Sequence, residues 1–173
     1  GAGKTPLGVL LAKKGLHGQR CVHFDFGQNL RDVVARGEPD AVVSEQDIAL
    51  LRRVLESGAL LEDREFPIAQ RVLASFLQHQ GVDSDTIVVM NGLPRHVGQA
   101  RALRESLLVR YVICLQCPAD VVWRRITSNT GGDRGHRSDD ERAAVERKLE
   151  IYAQRTEPLV GFFREAGATI IDL

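Results

Sequence analysis

Thr86-Ile87-Val88-Val89-Met90-Asn91-Gly92-Leu93-Pro94-Arg95 is the stretch on which the reading of the fold turns. From Thr86 to Met90 the side chains are apolar or β-branched at consecutive positions, without the alternation of a half-exposed strand. That pattern predicts a strand buried on both faces, as in the middle of a parallel sheet. Asn91-Gly92 and Pro94 then supply turn chemistry. In open α/β sheets ligands bind outside the carboxyl ends of the strands. Asn91 to Arg95 are therefore the first place to look for function.

Outward from this strand the chain alternates. Residues 20–24, 111–115 and 168–171 read as further strands, and 111–115 as a second buried one. Helices are expected over 4–14, 28–36, 44–57, 64–79, 97–107, 119–127, 139–154 and 159–166. Lys13-Lys14-Gly15 suits a helix C-terminus, and Ser44 with Asp47 three residues later suits a helix start. Pro158 is expected to interrupt the last helical stretch. Strand–helix alternation predicts right-handed crossovers and a central parallel sheet sandwiched by helices. Between residues 40 and 80 two consecutive helices replace the alternation and read as a helical flap. Residues 128–138, Ser-Asn-Thr-Gly-Gly-Asp-Arg-Gly-His-Arg-Ser, form a polar, basic loop of the kind used as a lid.

Length and composition narrow the function classes. A chain of 173 residues fits one domain with its own core. The balance of 23 basic against 23 acidic residues implies no basic face, so neither nucleic acid nor a membrane surface is an expected partner. No apolar run approaches the roughly 20 residues of a membrane span. Cys21, Cys114 and Cys117 are an odd set, which favours reduced thiols and a cytoplasmic location. Cys114 and Cys117 have C-x-x-C spacing, but a zinc site would need a second ligand pair, and a buried strand end is the preferred reading. His17, His23, His79 and His96 show neither triad nor metal-ligand spacing.

Gly1-Ala2-Gly3-Lys4-Thr5 reads as the second half of a phosphate loop, G-x-x-x-x-G-K-[ST]. Glycines let backbone N–H groups converge on a phosphate, the lysine reaches the outer phosphates, and the hydroxyl can meet Mg²⁺. A helix beginning here adds its positive end. Such a loop normally follows a strand, and that strand is expected ahead of Gly1.

Five stretches in order resemble the adenylate kinase family and its nucleoside monophosphate kinase relatives. Gly1 to Thr5 is similar to the family's phosphate loop. Asp25-Phe26-Gly27-Gln28-Asn29-Leu30-Arg31 is similar to S-T-G-D-L-L-R. Asn91-Gly92-Leu93-Pro94-Arg95 with Gln99 is similar to D-G-[FY]-P-R-x-x-x-Q. Arg137-Ser138-Asp139-Asp140 is similar to R-x-D-D. Lys148-Leu149-Glu150-Ile151-Tyr152 with Thr156-Glu157-Pro158-Leu159 is similar to R-L-x-x-Y and T-x-P-[LV].

The resemblance implies an α/β P-loop three-layer sandwich over residues 1–173, with a central parallel sheet, a helical acceptor-binding insertion at 26–80 and a short lid at 128–138. It implies transfer of the ATP γ-phosphoryl group to a nucleoside monophosphate, with Mg²⁺, by a monomer. Gly1, Ala2, Gly3, Lys4, Thr5 and Arg125 would then bind ATP, with Thr5 towards Mg²⁺. Gly27, Arg31, Gly92, Arg95 and Gln99 would hold the acceptor, Gln99 at an adenine edge, so that AMP is favoured. Lys4, Arg95, Arg137 and Lys148 would serve the transfer itself, a reaction that depends on positioning and charge neutralisation. Asp139 and Asp140 would hold the lid arginines.

The chain also departs from the family pattern. Asn91 replaces an aspartate, Pro6 follows Thr5, Asn129 replaces a lid-side arginine, Lys148 replaces an arginine, and Phe26 replaces a threonine. These changes leave two alternatives: a nucleotide-binding or regulatory module without turnover, and a P-loop kinase of a non-nucleotide small molecule.

Overall fold

The computed structural model describes residues 2–59, 61–128 and 150–173. It is an α/β structure in which all strand pairing is parallel among the described residues. The chain forms two compact units, one spanning Leu7–Leu93 and the other comprising the first six residues together with Pro94–Leu173.

In the Leu7–Leu93 unit, β1 (Cys21–Asp25) pairs with β2 (Ile87–Asn91) in register, from Cys21 opposite Ile87 to Asp25 opposite Asn91. Successive side chains of a strand alternate between faces, so His23, Asp25, Val89 and Asn91 share one face. Helix α1 (Lys4–Lys14) precedes β1 and ends where the Gly15 N–H reaches Leu11 O at 2.8 Å. Helix α2 (Phe26–Arg36) follows β1 without a loop, because Asp25 is both the strand's last residue and the helix cap. Its Oδ1 accepts the Gln28 N–H at 3.0 Å.

Helices α3 (Glu45–Ser57) and α4 (Phe66–His79) are the two consecutive helices expected between residues 40 and 80, α4 entered through a 3₁₀ turn at Asp63–Glu65. The reading of Ser44 and Asp47 as a helix start holds as a full capping box. Ser44 Oγ accepts the Asp47 N–H at 3.1 Å, and Asp47 Oδ2 accepts the Ser44 N–H at 2.9 Å. Arg71 of α4 reaches across, donating from Nε to Val42 O and from Nη2 to Asp47 Oδ2, both at 2.7 Å. Asp40 Oδ1 accepts the N–H groups of Val42 and Val43 at 2.7 and 2.9 Å. Phe24 and Leu51 are wholly buried, and Phe24 meets Phe76 edge-on with ring centroids 5.0 Å apart. Burying a side chain of this size contributes about 1.5–3 kcal/mol.

One expectation fails here. β2 is half-buried along its whole length and is not enclosed on both faces. Among the described residues its hydrogen-bonded neighbour is β1 alone, whereas enclosure requires strands and helices on every side.

In the second unit, α5 (Val97–Leu103) leads to β3 (Tyr111–Cys114), then α6 (Ala119–Thr127), and finally α7 (Pro158–Glu165) and β4 (Thr169–Asp172). β3 and β4 pair from Tyr111 opposite Thr169 to Cys114 opposite Asp172. Ala100, Leu159, Phe163 and Ala168 form the core, with Val97, Val109, Val112 and Phe162 packed on it.

Two expectations need correction in this unit. The helix expected over 97–107 stops at Leu103, because the polar Arg104, Glu105 and Ser106 interrupt the apolar face and Leu108 is left 80% exposed. β3 is not enclosed either: Tyr111 and Ile113 point to solvent while Val112 faces the core. Pro158 stands at the break it was expected to make, opening α7 as a separate helix after the turn at Glu157, since the first position of a helix needs no N–H donor. A π turn at Tyr152–Thr156 precedes it, closed by the Glu157 N–H on Tyr152 O at 2.8 Å. Most of the helix expected over 139–154, and nearly all of the 128–138 lid, lie outside the described residues. No described helix is long and apolar enough to cross a membrane.

Candidate active site

Ala2, Gly3, Lys4 and Thr5 stand at the very start of α1, so the expected coincidence of G-K-T with a helix N-terminus is present. Gly3 has φ 96°, a backbone conformation that residues with a Cβ rarely adopt. A Cβ there would meet nothing within 4 Å, so the requirement comes from the backbone and not from crowding. The first-turn N–H groups of a helix have no acceptors within the helix, and its dipole favours an anion beside them. This arrangement fits a polyphosphate. Pro6 lies within the first turn, where its missing N–H costs the helix nothing but removes one donor from that cradle. Gly1 lies outside the described residues.

The carboxyl ends of β1 and β2 carry the next group. Arg31 folds back over the first turn of α2, where Nη2 donates to Gln28 Oε1 at 2.9 Å. A Cβ on Gly27 would stand 3.5 Å from both Arg31 Nη1 and Asp25 Oδ1, so the guanidinium and the buried carboxylate converge on Gly27. Asn29 Nδ2 donates to Asp25 O at 2.8 Å, which ties the same turn to the strand end. Gly92 directly follows Asn91. The Asn91 Oδ1 is bonded to Nε2 of His23 on the neighbouring strand.

Arg95 and Gln99 form a third group. Gln99 is 1% exposed, and its Oε1 accepts the Arg95 N–H at 2.7 Å. The Arg95 carbonyl accepts from Thr156 Oγ1 at 2.9 Å. Two side chains far apart in sequence therefore hold the Arg95 backbone on both sides. Arg125 of α6 donates to Cys117 Sγ at 3.7 Å from an exposed position. Arg137 and Lys148, and with them Asn129, Asp139 and Asp140, lie outside the described residues.

For Mg²⁺, a hard cation that prefers charged oxygen, the fit is incomplete. Thr5 offers a hydroxyl at the helix start, but Asn91 brings no charge, and its oxygen is engaged by His23. Two residues that bond to members of these groups, His23 to Asn91 and Thr156 to Arg95, are not singled out by the sequence pattern. Thr156 lies in a quoted motif but had no role. His23 is a polar residue inside an apolar strand, two positions from Asp25, and that interruption was the available signal.

A family model described as an AAA domain matches residues 1–147. A protein named adenylate kinase from Xylella fastidiosa is 31% identical over 151 residues, covering 84% of this chain and 73% of the relative. The chain belongs to the adenylate kinase family. A Thermus thermophilus adenylate kinase is 31% identical over 82% of the chain and 68% of its own length. A Synechococcus adenylate kinase is 31% identical over 96% of the chain and 81% of its own length. Membership accounts for the coexistence of a G-K-T helix start with arginines at strand and helix ends. This member of the family keeps Lys4, Arg31 and Arg95, carries Pro6 and Asn91, and is a nucleotide-kinase-like P-loop protein by descent.

Proposed function

We propose that the chain transfers the γ-phosphoryl group of ATP to a nucleoside monophosphate, with AMP as the favoured acceptor. In this reading residues 1–173 form one P-loop three-layer sandwich with an acceptor-binding insertion at 26–80 and a lid at 128–138. Lys4 and the N–H groups of Ala2 to Thr5, with Gly1, take the ATP phosphates, and Arg125 lies towards the base. Arg31, with Gly27 and Gly92 leaving room for close approach, takes the acceptor phosphate. Arg95 takes charge developing on the transferred group, joined by Arg137 and Lys148. Bound through ATP and Thr5, Mg²⁺ would supply positive charge on the phosphate oxygens. The work is that of a monomeric cytoplasmic enzyme.

The observation that carries this reading is the double fastening of Arg95 by Gln99 and Thr156. A guanidinium that must meet a moving charge needs a fixed origin, because stabilisation depends on donors placed before the reaction. Gln99 has two roles here. Its Oε1 holds the Arg95 N–H, and the NH₂ end of the same amide is assigned to the adenine edge. Gln99→Glu separates them, since it keeps an acceptor for Arg95 and loses the donor. Turnover should persist with ATP and AMP, while the preference for AMP over CMP, GMP and UMP falls. Release of ADP should be measured for each of the four acceptors. No turnover with any of them would remove the kinase reading.

One observation favours a second reading. Asn91 lacks the charge a cation site wants and is tied to His23. A module that binds nucleotide without turnover would show ATP binding by calorimetry and no ADP release.

A further inference from the structure

Gln28, in the first turn of α2, stands between two charged side chains. Its Nε2 donates to Asp32 Oδ1 at 2.8 Å, and its Oε1 accepts from Arg31 Nη2 at 2.9 Å. These partners leave the amide one orientation. An ionised carboxylate can only accept and a guanidinium can only donate, so the NH₂ end belongs at Asp32 and the oxygen at Arg31. The Gln28 backbone is fixed as well, its N–H bonded to Asp25 Oδ1 at 3.0 Å. Arg31 and Asp32 follow Gln28 at the third and fourth positions, where a helix brings side chains together. The guanidinium so held lies over Gly27, where a Cβ would stand 3.5 Å from Nη1 and 4.0 Å from Nη2. All of these residues belong to the Leu7–Leu93 unit.

We propose that Gln28 and Asp32 are positioning residues that set Arg31 for the acceptor phosphate, with Asp32 acting only through Gln28. The proposal rests on the kinase reading for the phosphate and on this chain of hydrogen bonds for the geometry. Holding a long side chain in place beforehand lowers the ordering cost that ligand binding would otherwise meet. The amide suits this task. A neutral carbonyl orients the guanidinium without itself offsetting the charge that an anion would meet, whereas a carboxylate at position 28 would compete with that anion. Asp32 is next to Arg31 in sequence, and adjacent helical residues do not face each other. Its bond therefore goes to the amide, and it fixes which end of the amide Arg31 receives.

The test is ADP release by the full chain as AMP is varied at saturating ATP, which separates KM from kcat. Gln28→Ala should raise the KM for AMP about fivefold and leave kcat within about twofold, the signature of a binding contact shared by ground and transition states. Asp32→Ala decides the mechanism by its sign. A carboxylate near a phosphate repels it, so charge alone predicts that removing Asp32 lowers KM. Positioning predicts a KM raised about twofold. The Gln28→Ala/Asp32→Ala double variant should be no weaker than Gln28→Ala, and Gln28→Ala should add nothing in an Arg31→Ala background. An unchanged KM in Gln28→Ala, an unchanged or lowered KM in Asp32→Ala, or additive losses in the double variant would overturn the proposal while the unmodified chain still turns over. If the unmodified chain releases no ADP with AMP, the kinase reading falls and takes the proposal with it.

Discussion

The two strand pairs of this molecule have the same parallel pairing and nearly the same length, yet they carry different chemistry. β1–β2 ends in His23, Asp25 and Asn91 on one face, and its last residue caps a helix. β3–β4 ends in Cys114 opposite Asp172 and leaves Tyr111 and Ile113 exposed. Burial raises the Cys114 thiol above the ordinary thiol range, and the Asp172 carboxylate adds to that. The comparison teaches that pairing pattern alone does not mark a site. The first pair is distinguished by polar side chains bonded to one another and to a helix N-terminus. The second has an apolar inner face and a thiol held in its neutral form.

The sharpest way to break this contrast is at the cores. Phe24→Ala empties a fully buried position packed on Phe76 and should cost about 3–5 kcal/mol. Ile113→Ala, at a position 38% exposed, should cost well under half of that. Urea unfolding with intrinsic and far-ultraviolet probes measures both, and equal losses would show that the two pairs are anchored alike.

A smaller effect separates the fastened arginine from its surroundings. Thr156→Val removes the bond to the Arg95 carbonyl and keeps the shape of the side chain. It should lower kcat/KM about fivefold, corresponding to about 1 kcal/mol. The exposed Arg124–Asp120 pair lies in the same unit, and Asp120→Asn should leave kcat/KM within error. If both variants behave alike, the Arg95 fastening is structural only.

The smallest expected effect is one of pH. Asp83 accepts from Thr86 Oγ1 at 2.6 Å, and that bond holds its carboxyl below the usual range at the turn into β2. A group whose pKa is lowered by folding stabilises the fold above its unfolded value of about 3.9, and the contribution disappears as pH falls through the folded value. Amide exchange over residues 86–91 should therefore rise between about pH 5 and 3 relative to Asp83→Asn, in which the carboxyl titration is absent. An identical acid response in the variant would assign the loosening elsewhere.

Much of this was legible because it is local. The strands, the Ser44–Asp47 box and the helix start at Gly3-Lys4-Thr5 depend on residues within a few positions of each other, and each appears where the sequence placed it. Enclosure was misread at Ile87–Met90 and Tyr111–Cys114 because consecutive apolar residues report hydrophobicity, whereas enclosure depends on which distant strands stand alongside. Thr156 and Arg95 are 61 positions apart, and His23 and Asn91 are 68 apart. No spacing rule reaches so far. Gln99 drew notice through its motif, but its bond to Arg95 N was not legible, since the same amide could as readily have faced solvent.

The stretch from Asp40 to Arg71 holds a further consequence. Asp40 fixes the N–H groups of Val42 and Val43, Val42 offers its carbonyl to Arg71, and Arg71 grips the same Asp47 oxygen that closes the box on Ser44. These contacts are linked in series through one rigid guanidinium plane. Releasing any of them unloads the next, so fraying has no partial stopping point between Asp40 and Asp47. The segment is therefore expected to open as a unit, and hydrogen exchange should give its amides a single opening free energy.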